Sequence, residues 1–109
     1  MQRGNINANL PDASTEEMIE LLSTFRGGNV RVERILSEGQ ATPEGYWYDQ
    51  PWDEWVLVMN GEAELVFDAP AGVERLYSGD WLLIPAHRRH RVSLTAPATL
   101  WLAIHADTP

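Results

Sequence analysis

Few side chains in this chain could carry chemistry. It has no cysteine, and its 8 strongly basic residues are all arginine. Thiolate metal sites, cysteine nucleophiles, disulfides and lysine Schiff bases are therefore excluded. The 3 histidines are His87, His90 and His105. His87 stands in the Pro85–Arg89 loop and is read either as a rim residue or as a ligand contact. His105 ends an apolar run in which Trp101, Ala103 and His105 share a face. It is either an ordinary hydrogen-bonded residue or a second imidazole for a site. Arg88, Arg89 and Arg91 flank His90, and they either capture an anion or are solvated charges balancing nearby acids. The stretch Tyr46-Trp47-Tyr48-Asp49-Gln50-Pro51-Trp52 mixes aromatic and polar groups. Its two readings are one wall of a small-molecule pocket and core aromatics with Asp49 in a turn. In extended chain Tyr48 and Gln50 share one face, with Trp47 and Asp49 on the other.

The elements that must position these residues are mostly strands. The 109 residues suit one domain, divided into an arm and helix over 1–28, a β region over 29–106 and a frayed tail over 107–109. Ser14 with Glu17 makes a capping box. Met18, Leu21, Leu22 and Phe25 follow helical spacing, and Gly27-Gly28 closes the segment. A short helix over Thr15–Arg26 is predicted, packed on something larger, because a helix of that length is marginal alone. Val30–Leu36, Tyr46–Asp49, Trp55–Met59, Glu62–Asp68, Val73–Tyr77, Trp81–Ile84, Arg91–Thr95 and Leu100–His105 read as strands. Trp55–Met59 is apolar throughout, as a strand buried on both faces would be. Asn60-Gly61 is a type I′ hairpin signal. About eight strands at near-regular spacing make an all-β sandwich or barrel.

Composition closes off other classes. Apolar residues make up 44% and charged residues 22%, so one core can be filled and the chain is not of disordered type. The net charge of −8 argues against nucleic acid as a partner. No apolar run is long enough for a membrane span. The first residues lack the apolar stretch of a secretory signal, which makes a cytoplasmic location the expectation. Trp55, Leu57, Trp81 and Trp101 offer more apolar surface than one barrel interior needs, and a homodimer is expected.

Two spacings resemble a known family. Glu54, six residues, then Gly61 is similar to the second half of the first cupin motif. Gly79, five residues, Pro85, one residue, His87, two residues, His90 resembles the second motif. The 17 residues between Gly61 and Gly79 suit a short cupin. The resemblance covers about residues 29–106. It implies a cupin-type double-stranded β-helix, a jelly-roll barrel with the N-terminal segment packed outside. The first motif is degenerate. Its two histidines fall on Tyr48 and Gln50 in one register, or on Trp47 and Asp49 in the other. In the second motif His87 replaces the usual glycine and Leu94 the terminal asparagine. Only Glu54 and His90 match metal-ligand positions.

The resemblance implies a divalent metal such as Mn, Fe, Ni or Zn. The matched ligands would be Gln50, Glu54 and His90, a set with one imidazole that binds late transition metals weakly. Without a metal, the same residues form a hydrogen-bonded polar cluster in the barrel mouth. Tyr48 facing inward beside Glu54 and His90 could transfer protons, which makes these three the candidate catalytic residues. Trp47, Tyr48, Asp49, His87 and His105 are the remaining pocket candidates. Three functions follow: a small-molecule-binding barrel, a metal-dependent or acid–base enzyme of isomerase, lyase or oxygenase type, and a structural dimer with a filled barrel.

Overall fold

The structure is a computed structural model, and it describes residues 1–26 and 28–107. Eight strands run β1 (Met18–Thr24), β2 (Asn29–Ser37), β3 (Asp53–Asn60), β4 (Glu62–Phe67), β5 (Gly72–Tyr77), β6 (Trp81–Ile84), β7 (His90–Thr95) and β8 (Thr99–Asp107). All pairs are antiparallel. A five-stranded sheet in the order β1-β2-β8-β3-β6 faces a three-stranded sheet in the order β5-β4-β7. The order crosses between sheets and is not a simple meander.

The core follows from alternation. On β4, Ala63, Leu65 and Phe67 are buried while Glu62, Glu64 and Val66 are not. On β3, Val56 and Val58 face them from the other sheet. Leu76, Ile84, Trp101 and Ala103 complete this cluster. Each large aliphatic side chain so buried contributes about 1.5–3 kcal/mol. β3 departs from the expected burial on both faces. Trp55 and Leu57 turn outward and stay half-exposed, because the N-terminal arm covers a different part of that outer face.

The predicted helix over 15–26 is not formed. Its place is taken by β1, which pairs with β2 from Met18↔Leu36 to Thr24↔Arg31, with a bulge between Leu21 and Ser23. Two effects oppose the helix. Ile19, Ser23 and Thr24 are weak helix formers, and the free edge of β2 offers backbone donors and acceptors that a strand can satisfy. Ser14 does not cap a helix; its N–H bonds instead to Asp12 Oδ1. Gly27, expected to close the helix, lies outside the described residues.

Arg34 holds the N-terminal arm. It is 5% exposed, and its guanidinium donates to the carbonyls of Ile6, Ala8 and Asn9 and to the Glu20 carboxylate. Beside it, Ile6, Ala13, Met18, Leu36 and Leu100 form a second apolar cluster.

Asn60-Gly61 turns the chain tightly, but not as a hairpin. β3 already has β8 and β6 as neighbours, so β4 cannot pair with it and continues in the opposite sheet. Gly61 takes φ +110°, and a Cβ there would lie 2.5 Å from Thr99 Oγ1. The Tyr46–Asp49 strand is reduced to a single bridge between Tyr48 and His90. Asp107 is the last residue of β8, so the expected tail is ordered at its first position. Thr108 and Pro109 lie outside the described residues.

Candidate functional site

Four strands bring acids and imidazoles to one end of the barrel interior. Glu54 on β3 and His105 on β8 are direct cross-strand partners. Glu33 comes from β2, next to β8. His90 opens β7 in the other sheet and pairs with Phe67 of β4. Its backbone is also bonded in both directions to Tyr48, at 2.8 and 3.1 Å. That bridge stacks the phenol on the imidazole, with ring centres 5.6 Å apart. The residues surround a cavity of about 130 Å³. Ile35, Val56, Leu65, Ile84, Val92 and Trp101 form its apolar walls.

Hydrogen bonds fix the form of each histidine. The Trp52 indole N–H donates to His105 Nδ1 at 2.9 Å. Indole is a donor only, so Nδ1 is an acceptor and the ring proton sits on Nε2. Nε2 in turn donates to Glu33 Oε1 at 2.8 Å. Burial lowers the pKa of His105, which agrees with this neutral form, although Glu33 pulls the other way. His90 has the opposite tautomer. Its Nδ1–H donates to the Arg88 carbonyl at 2.8 Å, which leaves a lone pair on Nε2. Burial lowers the pKa of His90 too.

Glu54 lies between the two rings. Its oxygens are 3.7 Å from His90 Nε2 and 3.5 Å from His105 Nε2. With both rings neutral, these approaches are not ion pairs, and at such lengths neither is a formed hydrogen bond. Burial first, then repulsion from Glu33, push the Glu54 carboxyl up to about 7, with Arg31 opposing. Tyr48 is pushed up as well, by burial above all and then by Glu17, so its hydroxyl stays protonated.

Tyr48, Gln50, Glu54, His90 and His105 thus line one cavity. Trp47, Asp49 and His87 lie outside it. Trp47 sits under the guanidinium groups of Arg89 and Arg91, 5.7 and 5.9 Å from its ring centre. Asp49 accepts from His87 Nδ1 at 2.8 Å on the exposed rim. Alternation puts Trp47 and Asp49 on the face opposite to Tyr48 and Gln50, and His87 stands in the loop between β6 and β7. The arginines beside His90 do not reach the cavity. Arg88 donates to the carbonyls of Asp68 and Pro70, and Arg89 pairs with Asp68 at 3.1 Å.

Three participants escaped the sequence reading. Glu17, a capping-box partner in the helical reading, accepts instead from Ser37 Oγ at 2.6 Å and lines the cavity. Trp52 was visible as an aromatic but not as the donor to His105. Glu33 shares a strand face with Ile35, and that alternation was the available signal.

A divalent ion does not fit this donor set. His105 has one ring nitrogen protonated toward Glu33 and the other occupied by Trp52. Only His90 offers a free imidazole lone pair. Among the described residues, no group of three or more His, Asp or Glu is placed to hold a metal ion.

A two-sheet jelly roll with histidine and glutamate facing its interior is the architecture of the cupin barrels. The chain belongs to the RmlC-like cupins. It is similar to a crystal structure named "putative mannose-6-phosphate isomerase" from Ralstonia eutropha JMP134. Identity is 41% over 99% of this chain and 100% of that one, with a TM-score of 0.89. A cupin superfamily protein from Desulfitobacterium hafniense DCB-2 shares the fold at 19% identity, covering 98% and 93% of the two chains, TM-score 0.75. An RmlC-like cupin from Desulfovibrio desulfuricans does so at 20% identity, covering 97% and 96%, TM-score 0.76. No protein-family model and no curated protein matches the sequence.

Proposed function

We propose that this cupin binds a small organic molecule in the barrel cavity and exchanges protons with it through Glu54 and His90. One observation carries the reading. A buried carboxyl that titrates at about 7 stands 3.7 Å from an open imidazole lone pair, at the polar end of an apolar cavity. A group with its pKa near neutral pH can both take and return a proton, which is what acid–base catalysis requires. The Trp52–His105–Glu33 chain holds the neighbouring ring in one orientation, and Tyr48 covers His90.

The chemistry would be of isomerase type on a hydroxy-carbonyl ligand. The proton on the hydroxyl-bearing carbon is taken up, and its C–H electron pair forms the enediol C=C bond as the carbonyl oxygen gains a proton. The proton then returns to the former carbonyl carbon, while the other hydroxyl gives up its own proton to become the new carbonyl. The name of the 41% identical relative supports that class without supplying the substrate. The test is to screen small sugars, polyols and keto compounds for thermal stabilisation. NMR in D2O then follows solvent deuterium into those that bind. Incorporation is expected with the parent and is lost in Glu54→Gln with the fold retained. Incorporation that survives in Glu54→Gln overturns the assignment. Stabilisation without any exchange would favour the non-catalytic binding barrel instead.

A further inference from the structure

The cavity's polar atoms are nearly all hydrogen-bond acceptors. Glu17 just before β1, Glu33 on β2 and Glu54 on β3 all line it. His90 is only 4% exposed, and its Nε2 lone pair has no hydrogen bond among the described residues. The N–H of His105 is already committed to Glu33. Tyr48 and Gln50 bring the donors, and the phenol has a bond to the Thr42 side chain.

None of the arginines lines this space, although Arg31 acts on Glu54 and His105 from outside it and Arg88 on His90. Arg31, the cross-strand partner of His105, is the nearest cation to act on Glu54 and His105, but its guanidinium lies over the Trp52 ring at 4.8 Å. Arg34 is held by the arm carbonyls. Arg88 rests on Phe67, and Arg91 lies over Trp47. A phosphate or carboxylate entering here would face like charge at short range with no guanidinium in the cavity lining to pair with it. An ammonium group would find carboxylate oxygens and an open imidazole nitrogen instead. The chain's net charge of −8 draws the same sign of ligand toward the mouth.

We infer that the cavity takes a donor-rich ligand, an amine-bearing or uncharged molecule, and rejects anions, sugar phosphates among them. This rests on the cavity being the binding site, as proposed above, and it sets this chain apart from what the name of its 41% identical relative describes. Size agrees with a compact ligand: an engineered protein cavity of roughly 150 Å³ holds benzene, and this one is about 130 Å³.

The experiment is calorimetric titration of the full chain at about pH 8, where Glu54 is ionised, with benzylamine, benzyl alcohol, benzoate and mannose 6-phosphate. These probes separate charge from shape. Benzylamine is expected to bind at least about tenfold more tightly than benzoate, with benzyl alcohol between them. Mannose 6-phosphate is expected not to bind. Glu54→Gln and Glu33→Gln should each shrink the amine-to-benzoate ratio. Glu17→Gln keeps an acceptor oxygen for Ser37 Oγ and is expected to do the same. Benzoate or mannose 6-phosphate binding as tightly as benzylamine overturns the inference while leaving the site intact. So does a ratio unchanged in all three variants. Failure of every probe to bind would instead sink the cavity as the binding site, and this inference with it.

Discussion

Glu54 makes stability depend on pH. Its folded pKa of about 7 lies above the ordinary carboxylate value of 4.5, so the native state holds the proton more tightly than the unfolded chain. The associated stabilisation is therefore complete below the ordinary value and is lost as pH rises to about 7. A shift of this size corresponds to roughly 3 kcal/mol. Denaturant titrations are expected to show stability falling between about pH 4.5 and 7, and Glu54→Gln should flatten that slope. His105 provides a second residue-scale test. Trp52 occupies Nδ1 with an N–H, so the ring cannot take a second proton without breaking that bond. Trp52→Phe is expected to raise the pKa of His105, now free to pair as a cation with Glu33. Nitrogen chemical shifts report the change directly, and an unmoved titration would show that Trp52 does not set the tautomer.

Turns and edges decide how the elements hold these residues. Gly61 needs both a left-handed backbone and the absence of a Cβ, since Thr99 sits against it. Thr99 bonds to the carbonyls of Glu62 and Ala96, which ties the corner together. Gly61→Val is expected to destabilise by about 2 kcal/mol or more, measured by chemical denaturation. The sequence announced the tight turn, but not that it joins two sheets. That depends on β8 arriving beside β3 from 40 residues further along the chain. Strand positions were legible wherever one face is apolar, as in Ala63, Leu65 and Phe67. The motif spacing located Glu54 and His90 at one site. β1 was not legible, because Met18, Leu21, Leu22 and Phe25 satisfy a helical period while the free edge of β2, a long-range feature, makes the segment a strand. Glu33 was hidden for a related reason. An acid on a mixed strand is indistinguishable from a solvated one until its neighbours in space are known. Arg34 is the other element-scale test. Arg34→Ala removes the group that satisfies three arm carbonyls and Glu20. It is expected to cost about 2 kcal/mol and to expose the segment around Ile6–Asn9 to limited proteolysis.

At the scale of the whole molecule, the outer face of the five-stranded sheet is divided. The arm covers the β1–β2 side. Over β3 and β6, Trp55 and Trp81 stand with ring centres 5.9 Å apart, and Trp81 and Leu83 are 59% and 57% exposed. The homodimer expected from sequence would cover this area. Sedimentation velocity of the parent is expected to give a dimer, and Trp81→Ser with Leu83→Ser a monomer with an unchanged fold. A monomeric parent would remove the expectation.

The position of β1 has a consequence for affinity itself. One wall of the cavity is an outermost strand, and Ile19 and Leu21 on it are largely exposed. Such edges open locally at lower free energy than a sheet's centre. Only the fraction of molecules with this strand docked is competent to bind, so apparent affinity is the intrinsic affinity multiplied by that fraction. Substitutions far from Glu54 that loosen the β1–β2 ladder will weaken binding without touching the ligand. Occupancy will return the effect as slower amide exchange along Met18–Thr24.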